Sequence, residues 1–119
     1  MTAITLPWPP SVNRYWRSVT IGGKPRVLIS QEGRAYRYWA QQEALVRRLP
    51  RLGAARIRVE ITAHPPDKRR RDLDNILKSL LDALQHAGVY DDDSQIDELR
   101  IIRAPQAAGG SVSILVSPA

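Results

Sequence analysis

From Arg56 to His64 apolar and polar residues alternate without a break, with Ile57, Val59, Ile61 and Ala63 on one side and Arg56, Arg58, Glu60, Thr62 and His64 on the other. A period of two predicts a half-buried strand. Further on, Leu73, Ile76, Leu77, Leu80, Leu81, Leu84 and Ala87 recur at helical spacing. They predict a helix from about Asp72, with Gly88 placed to end it. An earlier helix is expected after Ser30, a suitable N-cap, with Ala35, Tyr38, Trp39, Leu45, Val46 and Leu49 as its apolar positions and Pro50 as its stop. Shorter segments complete the pattern. Ala3–Leu6 reads as a strand halted by Pro7, Pro9 and Pro10. Val19–Ile21 and Arg26–Ile29 flank Gly22-Gly23 as a small hairpin, and 96–103 and 112–116 read as two closing strands. Strands and helices interleave and a hairpin closes the chain, so the expected fold is α+β: one domain over residues 1–119, with two helices on a mixed sheet.

Charge divides the chain unevenly. Residues 1–66 hold eleven cations and three anions, 67–98 five and nine, and 99–119 two and none. The net charge of +6 suits a polyanionic partner. Fifteen of the eighteen cations are arginine, whose planar fork matches phosphate oxygens. There is no cysteine, which excludes disulfides, thiolate metal sites and cysteine nucleophiles and leaves oxygen as the main metal ligand. No signal-like leader and no apolar run near the roughly 18 residues needed to span a bilayer is present, so a cytoplasmic protein without membrane contact is expected.

The chemistry concentrates in Lys68-Arg69-Arg70-Arg71-Asp72-Leu73-Asp74-Asn75 and in Asp91-Asp92-Asp93. Cations alone would hold phosphate. The carboxylates would repel it unless a hard divalent cation, Mg²⁺ or in its place Mn²⁺, sat between them. Lys78, one turn beyond Asp74, would then face the scissile phosphate. Asn13-Arg14-Tyr15-Trp16-Arg17 mixes cations and rings, suited to backbone phosphate and an unpaired base, or equally to a partly buried loop. Ordinary roles exist for the acids too. Asp72 and Asp74 can cap a helix, Asp74 can pair with Lys78, and Asp91–Asp93 can be a solvated turn. A helix of about fifteen residues spans roughly 22 Å, so Asp93 meets Asp72 within one chain only if the turn folds back. A partner subunit is the other source of the second cluster. An EF-hand is excluded by Ile76 and Leu77 where a ligand and a glycine are needed, and His64 and His86 stand too far apart in sequence to suggest zinc.

Leu6-Pro7-Trp8-Pro9-Pro10-Ser11 with Asn13-Arg14-Tyr15, the run Arg69-Arg70-Arg71-Asp72-Leu73-Asp74-Asn75 with Lys78, and Gly88 through Gln95 together resemble the RusA family of Holliday junction resolvases. The resemblance runs in order through nearly the whole chain. It implies a homodimeric, Mg²⁺-dependent endonuclease of bacteria and their prophages that makes paired symmetric nicks in four-way DNA junctions during recombination and repair, with no small-molecule cofactor. A two-fold substrate suits a two-fold dimer. The family's catalytic and metal-binding carboxylates fall on Asp72, Asp74 and Asp93, with Asp92 as the other member of an acidic pair, and its lysine falls on Lys78. Lys68, Arg69, Arg70, Arg71 and Asn75, with Asn13, Arg14 and Arg17, are the expected DNA contacts. Two other readings stay open: a branched-DNA-binding protein without activity, and a metal-dependent nuclease specific for flaps or RNA.

Overall fold

A computed structural model describes residues 2–119. The alternating segment forms β4 (Ile57–His64), with Ile57, Val59, Ile61 and Ala63 all buried. It is central in a four-stranded sheet of order β1-β6-β4-β5, where β1 is Thr2–Pro7, β5 is Ile96–Arg103 and β6 is Ser111–Pro118. β5 runs parallel to β4, whereas β6 is antiparallel to both β4 and β1, so the sheet is mixed as expected.

The expected closing hairpin is absent. β6 crosses past β4 and inserts between it and β1, instead of pairing with β5. The physical reason lies in the burial patterns. Val112, Ile114 and Val116 make β6 a half-buried interior strand, whereas β5 is exposed along most of its length and suits an edge.

The separate hairpin is present, with β2 (Trp16–Ile21) and β3 (Lys24–Ile29) pairing antiparallel across Gly22-Gly23. Both glycines have positive φ, 59° and 76°, as a tight two-residue turn with the twist of the strands requires. A short third helix, α1 (Val12–Tyr15), precedes β2, so the arginine-aromatic segment is a helical turn running into a strand and not a loop.

Two long helices cover one face of the sheet. α3 (Asp74–His86) buries Ile76, Leu80 and Leu84 of the expected stripe, each contributing about 1.5–3 kcal/mol by leaving water, together with the smaller Ala83, which the stripe did not include. α2 (Gln31–Val46) begins where expected, the Ser30 hydroxyl accepting from the Gly33 amide at 2.9 Å, but it turns a different face inward. Gly33, Tyr36 and Ala40 are buried, whereas Tyr38, Trp39, Leu45 and Val46 are 53–77% exposed. Close packing decided this orientation. Gly33 and Ala40 are small enough for the helix to approach its neighbours, and the Tyr36 hydroxyl donates to the Pro7 carbonyl at 2.7 Å. The proline segment is fastened again where the Ser79 hydroxyl donates to the Pro10 carbonyl at 2.6 Å. No helix among the described residues is long and apolar enough to cross a membrane.

Candidate active site

Asp72 lies just before α3 and Asp74 in its first turn, where a carboxylate complements the helix dipole. Leu73 occupies the cap position without a side-chain cap bond, and among the described residues neither aspartate joins an ion pair, including the expected one with Lys78. The neighbouring cations are divided in their duties. Arg71 and Arg69 both bind Asp67, Arg69 at 3.2 Å, and hold the carboxyl of Asp67 well below the usual range, chiefly through the Arg71 hydrogen bond. Arg103 in turn donates to the Arg71 carbonyl at 2.7 Å. Lys68 and Arg70 have no ion-pair partner among the described residues and are exposed. The basic run is therefore two exposed cations without ion-pair partners among the described residues, on a loop that the other two brace. Arg70, Arg71, Asp72 and Asn75 share a cleft of about 320 Å³ with Trp8 and Ser11.

The acidic turn is placed by Gln95, which is buried and fully bonded. Its Nε2 donates to the Gly53 and Ala55 carbonyls at 2.9 and 2.5 Å, and its Oε1 accepts from the Asp91 and Asp92 amides at 3.0 and 2.9 Å. Asp92 caps the single 3₁₀ turn Asp93–Gln95 by accepting from the Ser94 amide at 2.9 Å, which lowers its pKa. Asp91 is exposed, and its side chain has no ion-pair partner among the described residues. Asp93 is pulled toward α3, its amide donating to Gln85 Oε1 at 3.1 Å. Its pKa is raised, first by desolvation and then by Asp92 and Asp82, against an opposing pull from Lys78.

The turn does fold back, but only partway. The Tyr90 hydroxyl donates to the Leu81 carbonyl at 2.6 Å, which brings Asp93 into electrostatic reach of Lys78 and Asp82. Asp74 lies two turns, about 12 Å, before Asp82 along the helix. Among the described residues no group of three acidic or histidine side chains gathers closely enough to hold a metal ion. Asp93 thus lies within electrostatic reach of Lys78, and among the described residues Asp72, Asp74 and Asp93 do not gather into one such group.

Sequence reasoning missed a polar node behind Lys78. The Tyr15 hydroxyl, fully buried, donates to Asp82 Oδ2 at 2.5 Å. Arg37 Nε reaches the same carboxylate oxygen at 2.9 Å and the Tyr15 oxygen at 3.0 Å, and its second nitrogen lies 2.8 Å from Asp82. Burial and the facing carboxylate push the Tyr15 phenol up. His86 approaches Asp82 at 3.8 Å, and His64 lies elsewhere, its Nδ1 2.9 Å from the Pro105 carbonyl. The one available signal was Asp82 itself, an acid four residues after Lys78 inside a leucine-rich helix. Tyr15 packs edge-on against Trp16, their centroids 4.3 Å apart, and the Lys78 ammonium sits 5.3 Å from the Trp16 ring centroid. Asn13 and Arg17 flank Trp16, while Arg14 points to Glu32 at 3.7 Å across exposed surface.

A mixed sheet under two helices, with acids and cations that form no ion pair among the described residues lying along α3 and the segments that flank it, defines an α+β domain with a charged candidate site. Residues 7–116 match the family described as Endodeoxyribonuclease RusA. The chain is 44% identical over 112 residues to crossover junction endodeoxyribonuclease rusA of Enterobacteria phage HK97, covering 94% of this chain and 90% of the relative. It is 39% identical over 115 residues to crossover junction endodeoxyribonuclease RusA of Escherichia coli (strain K12), with 97% and 92% covered. A third relative, from Enterobacteria phage 82, is 40% identical over 114 residues. The chain belongs to the RusA endodeoxyribonuclease family.

Proposed function

We propose that this protein is a crossover junction endodeoxyribonuclease that resolves four-way DNA junctions by paired symmetric nicks, acting in recombination and repair as a Mg²⁺-dependent homodimer. Family membership over 94% of the chain or more in each relative carries the reading. The whole chain serves as one domain. Its substrate places it in the cytoplasm, of a bacterium or of a cell carrying a prophage.

Asp72, Asp74 and Asp93 are the residues that would hold the metal, and their chemistry fits one. The donors are all carboxylate oxygens, as a hard cation prefers. Among the described residues Asp72 and Asp74 form no ion pair, and Asp93 is crowded by Asp92 and Asp82. When bound, Mg²⁺ supplies Lewis-acid stabilisation at the scissile phosphate. The two-fold symmetry of a four-way junction that needs two equivalent cuts supports the dimer. Lys78, which forms no ion pair among the described residues although Asp93 is in electrostatic reach, would hold positive charge beside the phosphate. Lys68 and Arg70 engage the backbone, with the Asp67 bridges holding their loop in shape.

The test is incubation of the protein with a four-way junction, a linear duplex, a flap and an RNA duplex, each with and without Mg²⁺. Symmetric nicks in the junction alone, and only with metal, are expected. Junction binding without nicks would replace this reading with a non-catalytic binder, and cleavage of the flap or RNA with a nuclease of other specificity.

A further inference from the structure

Between the β2–β3 hairpin and α3 lies a second cleft, of about 620 Å³, with Asn13, Trp16, Arg17, Ser18, Val27 and Lys78 in its wall. That volume lies in the range of small-molecule sites. Its lining holds two cations and no acid, in a chain whose acids cluster close by on α3 and the turn after it. Trp16 is half-buried, and its orientation is imposed from behind by the edge-on contact with Tyr15, itself locked by Asp82 and Arg37. The indole is therefore a rigid plate. The Lys78 ammonium lies over it, 5.3 Å from the ring centroid. The Asn13 amide, carrying both donors and an acceptor, lies in the same wall and can pair with the edge of a base.

We propose that this cleft takes one unpaired nucleobase from the branch point of the DNA, stacked on Trp16, with the adjoining phosphate between Arg17 and Lys78. The proposal rests on the DNA-cutting reading and adds a base pocket to it. Stacking on an aromatic plate is sequence-tolerant, whereas the Asn13 amide distinguishes base edges, so the pocket contributes to the choice of cleavage site. The base takes the ring face that the ammonium occupies in the free protein, and Lys78 is thereby released toward the phosphate one helical turn from Asp74. Docking of a base and placement of the lysine become one event.

The test uses a four-way junction carrying the fluorescent base 2-aminopurine at each branch-point position in turn, titrated with protein in the absence of metal. Quenching is expected at one position. Trp16→Phe should retain it, and Trp16→Ala should lose it and weaken binding about ten-fold. Because Trp16 also packs against the core, Val27→Trp is the second variant. It lies on the exposed hairpin opposite Ser18 and fills the cleft from outside, so it should abolish quenching at an unchanged melting temperature. Junction binding without quenching, or quenching that survives in Val27→Trp, overturns the base pocket alone. Absence of any junction binding overturns the DNA-cutting reading as well.

Discussion

Replacing Gly33 with alanine sets two effects of opposite sign against each other, and the structure decides between them. Alanine in a helix is favoured over glycine by about 1 kcal/mol. A Cβ at position 33, however, would overlap the Tyr15 carbonyl oxygen and sit 2.8 Å from Ile29 Cγ1. The oxygen cannot simply move aside, because it accepts from the Ser30 amide and from the Ser30 hydroxyl, both at 2.9 Å. Relieving the overlap costs about 1–3 kcal/mol as overpacking, and each weakened hydrogen bond adds about 0.5–1.5 kcal/mol. The net expectation is a loss of about 1–5 kcal/mol, with roughly 3–6 °C in melting temperature per kcal/mol for a chain of this size. Urea denaturation of wild type, Gly33→Ala and the exposed control Ala35→Gly measures it. The control should lose only about 0.5–1 kcal/mol. A Gly33→Ala protein as stable as wild type, or more so, would refute the claim that α2 is held by its approach to Tyr15.

The remaining expectations concern the polar groups. Tyr15→Phe removes a bond to a charged carboxylate, but Asp82 keeps Arg37 at 2.8 Å, so the cost is at the lower end of the usual range, about 1.5 kcal/mol. A urea midpoint unchanged from wild type would contradict it. Asp67 has a lowered folded-state pKa, so its ion pairs stabilise fully above the ordinary carboxyl value of 3.8 and are lost as pH falls below it. Melting temperatures of wild type and Asp67→Asn should therefore converge between about pH 5 and pH 2, and a constant gap would count against the bridge. Asp74→Asn should abolish nicking while leaving junction affinity intact or improved, read by gel shift and cleavage assay side by side, since it removes a carboxylate and no cation. Millimolar Mg²⁺ should raise the melting temperature of the free wild-type protein, as any ligand confined to the folded state does, and a flat melting temperature would speak for acids that bind no metal.

Periodicity along the chain was enough for β4, for α3 with its buried stripe, for the Gly22-Gly23 hairpin and for the start of α2 at Ser30. Each depends on contacts between residues a few positions apart, and local spacing records those directly. The motif around Asp72-Leu73-Asp74-Asn75 likewise identified the family. Three features could be settled only in three dimensions. The inward face of α2 followed from how closely Gly33 and Ala40 let it approach, overriding the more hydrophobic stripe of Tyr38, Trp39, Leu45 and Val46. The position of β6 between β1 and β4 was set by competition among strands for the sheet interior. The node of Tyr15, Arg37 and Asp82 joins residues up to 67 positions apart, each unremarkable alone. Side-chain identity thus determined which segments form helices and strands and which groups carry the charge. Packing at long range decided which faces meet and that Lys78 rests over an indole, because burial rewards close fit between surfaces that sequence order does not bring together.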